Sequence, residues 1–253
     1  MGFDTNCTLS RQVSEGVRSV TTPTAVQAHR GSPDPAAGVR ENTIDAFTLA
    51  RALGADGVEL DVRMTADGAL AVHHDPVVAG VGPVHELAST DLPDHVPLLA
   101  EALDTCAGML VNIEIKNHPG EPAFDPTDRA SGLVVGVVEE QGRGDQVVVS
   151  SFWSGALAAV RSLDPALACG LLVLPSFDAR SGIAAAVELG CAAVHLPVNL
   201  VDAATVDAAH EVGLAVAAWT VADAGVLAAV LDAGVDTVIT DDVALARRVV
   251  DGS

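Results

Sequence analysis

The chain is 253 residues long, with 49% hydrophobic and 19% charged residues. That balance excludes a disordered chain and supplies enough apolar material for one α/β barrel or two modest domains. Thirteen Lys and Arg stand against 34 Asp and Glu, a net charge of −21, which argues against nucleic acid and anionic membrane as partners and makes a phosphate-bearing substrate depend on a local cation cluster or a bound metal.

Residues 1–23 are polar, lack sustained periodicity and read as an N-terminal tail without the apolar segment of a signal peptide. No apolar run reaches the ~18 residues that a membrane helix needs, so neither a spanning helix nor stable membrane anchoring is expected. Cys7, Cys106, Cys169 and Cys191 have no CxxC spacing. They read as buried, reduced thiols rather than a zinc site or a disulfide framework, and the expected compartment is the cytoplasm.

From residue 24 onward, short apolar runs alternate with helical patterns and no linker divides the chain, so 24–253 reads as a single domain. Nine runs have the character of strands: 24–28, 56–62, 69–74, 109–115, 146–151, 169–174, 192–196, 214–219 and 236–240. Helical segments end before Gly54, Gly190, Gly213 and Gly234, each followed by a β-rich run. Side-chain oxygens that can cap helices stand at Asn42 or Thr43, Asp202, Asp223, and Asp241 or Asp242. Repeated helix–Gly–strand units imply right-handed crossovers and a mostly parallel sheet. The run 69–74 follows 56–62 across Asp67-Gly68, a hairpin signal that leaves no room for a crossover helix. The expected fold is therefore a (β/α)8 TIM barrel with an extra short antiparallel strand after the second barrel strand. The runner-up, an open doubly wound sheet, lacks any GxGxxG or GxxxxGK[ST] fingerprint.

Polar residues cluster at the strand ends, where barrel enzymes place their chemistry. His29-Arg30-Gly31 follows the first strand directly; taken alone, it also fits a loop histidine and a surface arginine. In Val58-Glu59-Leu60-Asp61-Val62 the two carboxylates share one face of the strand and the apolar residues the other. Unpaired buried carboxylates are costly, and a hard divalent cation relieves that cost. His73-His74-Asp75 ends the flap, and alternation alone does not choose between the histidines. Asn112, Glu114 and Lys116 again share a face, and Lys116 is the only lysine in a chain that otherwise uses arginine. Trp219 ends a strand as either a core residue or an apolar wall beside a ligand, and His195 ends another strand. His85, His95, His118 and His210 read as surface residues.

Together these stations resemble the glycerophosphodiester phosphodiesterase family. The resemblance runs through AHRG (28–31), ENT (41–43), GADGVELDVRMTADGALAVHHDP (54–76), NIEIK (112–116), SSF (150–152), AWT (218–220) and ITDD (239–242). It implies a TIM barrel and a metal-dependent phosphodiesterase that releases glycerol 3-phosphate and an alcohol. His29 and His74 match the catalytic histidines, and Glu59, Asp61 and Glu114 match the ligands of one Mg2+ or Ca2+. Arg30 and Lys116 match cations near the phosphate, and Trp219 matches a substrate-pocket aromatic. The chain departs from the pattern in the loop SPDPAAGVR, where Arg40 stands at a position usually occupied by proline. Two rival readings are a lysophospholipase D-type activity and a non-catalytic barrel that binds phosphorylated ligands. A zinc hydrolase is disfavoured because no HxH or HExxH occurs.

Overall fold

A computed structural model describes residues 24–252; the tail read at 1–23, with Cys7, lies outside the described residues. Strand β1 (Ala25–Ala28) leads into helix α1 (Ile44–Ala52), and β2 (Gly57–Met64) is followed by a flap made of β3 (Leu70–Val72), β4 (Val77–Val78) and β5 (Gly82–Pro83) before α2 (Leu99–Thr105). The remaining units are β6 (Leu110–Ile115) with α3 (Arg129–Glu140), β7 (Val147–Ser151) with α4 (Ser154–Leu163), and β8 (Ala168–Leu172) with α5 (Ala179–Glu188). They continue with β9 (Ala193–Pro197) and α6 (Ala203–Glu211), β10 (Ala215–Val221) and α7 (Ala224–Ala233), and β11 (Thr237–Thr240) and α8 (Val243–Val250).

Eight strands pair in parallel, and the ring closes because β1 bonds both β2 and β11. Strand β3 lies outside the ring, antiparallel to the end of β2 with Val62 opposite Val72. The barrel expected from the strand count is thus present, and the ninth run is the extra strand.

Register decides which side chains face inward. Glu59 pairs with Asn112, Asp61 with Glu114, Glu114 with Ser150, and Leu172 with His195. Paired residues in a parallel sheet share a face, so these polar groups line the interior. The alternate residues Val58, Leu60, Val62, Val111 and Ile113 are fully buried in the apolar shell beneath the helices. That division follows from the two-residue period of the strands.

The helix–strand junctions also form as the sequence suggests. Gly234, the C-cap of α7, has φ +87°, a conformation that glycine adopts without a Cβ penalty. Asp202 and Asp223 accept hydrogen bonds from first-turn amides. In the two places where sequence offered a choice of cap, Thr43 accepts from the Ala46 amide and Asp242 from the Leu245 amide. Asn42 and Asp241 are left free for other work. Cys106, Cys169 and Cys191 are buried free thiols, and burial raises the first two to about 12.

Candidate active site

The mouth of the barrel begins at the end of β1. The His29 amide donates to the Thr240 carbonyl at 2.9 Å, which holds the chain to β11 for one more residue. Arg30 then takes φ 55° and Gly31 φ 78°. A Cβ at Gly31 would lie 2.8 Å from the Ala46 carbonyl carbon, so only glycine fits this turn against α1. The turn aims the Arg30 amide at Glu59 Oε2, 2.9 Å away.

Glu59, Asp61 and Glu114 are all buried, and each offers an oxygen within 4.8 Å of the others. Two cations rim them. Lys116 Nζ lies 3.0 Å from Asp61 Oδ1 and 2.5 Å from Glu114 Oε1. Arg30 Nε lies 3.4 Å from Asp61 Oδ2, and its Nη1 binds Glu41 at 2.9 Å. Asn42 clamps the centre of the cluster: its Nδ2 donates to Asp61 Oδ2 at 2.8 Å, and its Oδ1 accepts from the Asp61 amide at 3.2 Å.

Three carboxylates against two cations leave the cluster short of positive charge. Burial drives Glu59 up to about 8, with repulsion from Asp61 adding to the effect. Burial also raises Glu114, to about 7, against the pull of Lys116. Asp61 moves the other way: burial opposes its ionisation, but Lys116 and Arg30 outweigh burial and hold it below the usual carboxylate range. A buried, all-oxygen donor set in which two of the three carboxylates resist ionisation suits a hard divalent cation. These residues fit the metal that the fold family implies.

Two histidines flank the carboxylates. His29 Nδ1 lies 2.7 Å from Asp241 Oδ1. Burial opposes protonation of His29, but the Asp241 hydrogen bond and the charge of Glu59 outweigh it and raise its affinity for a proton. His74 Nδ1 lies 2.8 Å from Asp75 Oδ1; burial lowers its proton affinity, Lys116 adds to that, and Asp61 opposes it. The neighbouring His73 instead sets its Nδ1 2.8 Å from the Asp75 carbonyl oxygen. Trp219, half-buried, donates from Nε1 to the His195 carbonyl at 3.1 Å and packs edge-on against Phe152, with ring centres 5.6 Å apart. The structure thus brings His29, His74, Glu59, Asp61, Glu114, Arg30 and Lys116 to one end of the barrel, with Trp219 at the end of β10.

Several contributors were not singled out for this role by sequence. Asn42 and Asp241 stand in the sequence as alternative caps and within the ENT and ITDD motifs, with no site role attached. Arg63, buried near the end of β2, donates from Nε to the His74 carbonyl at 2.7 Å and pairs with Glu121. His95, read as a surface residue, is exposed but lines a cavity beside the site together with Arg40 and His73. His195 is buried in the barrel with no partner for Nδ1.

The fold and the site define a TIM-barrel hydrolase with an acidic, cation-rimmed mouth. Residues 29–245 match the model of the glycerophosphoryl diester phosphodiesterase family, to which this chain belongs. It is similar to a glycerophosphodiester phosphodiesterase of Caldanaerobacter subterraneus subsp. tengcongensis, with 30% identity over 87% of this chain and 94% of that protein. Among solved structures, a phosphodiesterase of Oleispira antarctica in complex with the product sn-glycerol-3-phosphate superposes with a TM-score of 0.79 at 25% identity, covering 91% of this chain and 98% of the other. A glycerophosphodiester phosphodiesterase of Parabacteroides distasonis superposes at 0.80 with 24% identity, over 91% of this chain and 98% of that one, and shows the shared fold. The protein is an enzyme, a phosphoric diester hydrolase. Among the described residues, no helix is long and apolar enough to cross a membrane.

Proposed function

We propose that the enzyme hydrolyses glycerophosphodiesters to glycerol 3-phosphate and an alcohol, with His29 and His74 dividing the proton transfers. The observation that carries this reading is the convergence of two histidines and three buried carboxylates at one end of the barrel. Glu59, Asp61 and Glu114 would hold one Mg2+ or Ca2+, which when bound supplies Lewis-acid neutralisation of the phosphate. Arg30 and Lys116 add fixed positive charge where the diester anion binds, against the −21 of the whole chain. Trp219, backed by Phe152, forms the apolar wall against which the substrate rests. One histidine removes a proton from the attacking hydroxyl or water, and the other protonates the leaving alkoxide. The opposite pulls on His29 and His74 favour such a division, because a donor and an acceptor need different protonation states at one pH. The proposed compartment is the cytoplasm, in keeping with the three described cysteines as free thiols.

A second reading, hydrolysis of lysophospholipids, is favoured by Leu174 and Phe177, which stand exposed on the loop after β8. Assays on glycerophosphoglycerol and a lysophospholipid, with and without chelator, separate the two by the substrate consumed. On glycerophosphoglycerol, His29→Ala and His74→Ala should each lower kcat by roughly 10²–10⁴-fold, and His73→Ala should stay within about threefold, well short of a general-base loss. Glu59→Gln should abolish metal-dependent turnover. Full activity in chelator, or loss with His73→Ala alone, would overturn the assignment.

A further inference from the structure

We propose that the cavity between the loop preceding α1 and the flap is a second anion subsite, which favours phosphodiesters whose alcohol carries a further phosphate. The proposal rests on the phosphodiesterase reading and narrows its substrate class.

The cavity has a volume of about 210 Å³, far more than one water needs. Its polar lining is Arg40, Glu41, Asn42, His73, His74 and His95, and valines of the flap complete it. His74 and Asn42 also belong to the catalytic cluster, so a substrate seated over the carboxylates extends into this space directly.

The charge in the cavity is unusual for the chain. Arg40 Nη1 donates to His95 Nε2 at 3.0 Å. Arg30, Arg63, Arg129 and Arg247 are each tied to a carboxylate and Arg51, Arg143 and Arg161 to backbone carbonyls, whereas Arg40, exposed at the cavity, faces an imidazole. Its neighbour Glu41 is engaged by Arg30 at 2.9 Å. Asp75 is held by His74, and Asp94 adjoins His95 in sequence. His73 places Nδ1 on the Asp75 carbonyl, and its Nε2 has no hydrogen bond among the described residues. In a protein with 34 acidic and 13 basic side chains, a guanidinium set against the His95 imidazole in a cavity that His73 also lines is a cation awaiting an anion.

The guanidinium fork matches two phosphate oxygens, and the imidazoles supply further donors around a tetrahedral group. A neutral alcohol gains nothing from this lining, and a quaternary ammonium headgroup is repelled by Arg40. The scissile bond is unchanged; the second phosphate only anchors the alcohol.

The test compares kcat/KM for glycerophosphoglycerol and for its terminally phosphorylated counterpart, on wild type and Arg40→Gln. Wild type should prefer the phosphorylated substrate by about 10- to 100-fold, the range of one or two charge-assisted hydrogen bonds. Arg40→Gln should remove that preference and leave the neutral substrate within about twofold, since the Arg40 side chain bonds His95 and none of the groups proposed to react. Equal losses on both substrates, or none on either, would overturn the subsite while leaving the hydrolase reading intact. Turnover of neither substrate by wild type would overturn both. Inorganic phosphate added beside the neutral substrate separates a tethered phosphate from a free one. A rate change that Arg40→Gln abolishes would make the cavity an effector site and overturn the substrate proposal.

Discussion

His195 shows how one side chain can set the acid limit of a fold. It sits in the barrel wall with Nε2 held tightly over Gly170, where an added Cβ would come within 2.3 Å of that nitrogen. Burial pushes its pKa down to about 4 from an ordinary 6.5. The unfolded chain therefore binds a proton that the folded one refuses between those values. The stabilisation from keeping His195 neutral is complete above pH 6.5 and is lost as the pH falls through about 4, on the order of 3 kcal/mol in all. Urea unfolding at pH 7.5 and pH 4.5 should show wild type losing about 2 kcal/mol more than His195→Gln over that interval. Equal losses in the two proteins would remove His195 from the acid transition.

Alternation along strands made Glu59 with Asp61 and Asn112 with Glu114 legible from sequence, because a two-residue period requires no knowledge of the fold. The choice between His73 and His74 was not legible, since both end a short strand and what decides is which ring comes near Asp61 and Lys116. Only the family resemblance had preferred His74. Nor could sequence pair His29 with Asp241 across 212 positions.

Elements place these residues, and the junctions between elements carry the tightest constraints. Adjacent polar residues at a helix's start divide the labour: Thr43 caps α1 while Asn42 clamps Asp61, and Asp242 caps α8 while Asp241 binds His29. From sequence each pair reads as alternatives, because both members have capping chemistry and only the backbone turn separates them. The segment 77–97 was opaque for a different reason. It has short turns and two-residue strands with no period to read, yet it encloses Val78, Val84 and Val96 in a small satellite core with Ala71 and brings His95 to Arg40.

Gly31 is the sharpest test at this scale. Gly31→Ala adds left-handed strain to overlap with the backbone of α1, and should destabilise by about 2–4 kcal/mol. Gly68→Ala, at φ 83° with open space around it, should lose only about 1–2 kcal/mol. Denaturant midpoints measure both. Because Gly31 aims the Arg30 amide at Glu59, the first substitution should also weaken divalent-cation binding by calorimetry, and the second should not. Equal effects would mean that the turn has slack the structure does not show.

For the molecule as a whole, charge opposes compactness. With a net charge of −21, self-repulsion acts across the surface over a screening length of ~30 Å at 0.01 M salt but only ~8 Å at 0.15 M. Raising NaCl across that range should lift Tm by several degrees, about 1 kcal/mol for a chain of this size. A flat or falling Tm in a thermal scan would show that self-repulsion does not limit the stability of the fold.

Ring closure joins the first strand to the last, and this orders the enzyme's completion in time. On the ribosome, His29 is made 212 residues before the aspartate that orients it, an interval on the order of ten to forty seconds at ~5–20 residues per second. Through that interval β1 has no β11 to pair with, and the first histidine lacks its carboxylate even though Glu59, Asp61 and Glu114 are already synthesised. Under the proposed division of proton transfers, the chain holds all three carboxylates of its cluster early, and competence for hydrolysis waits for the last strand.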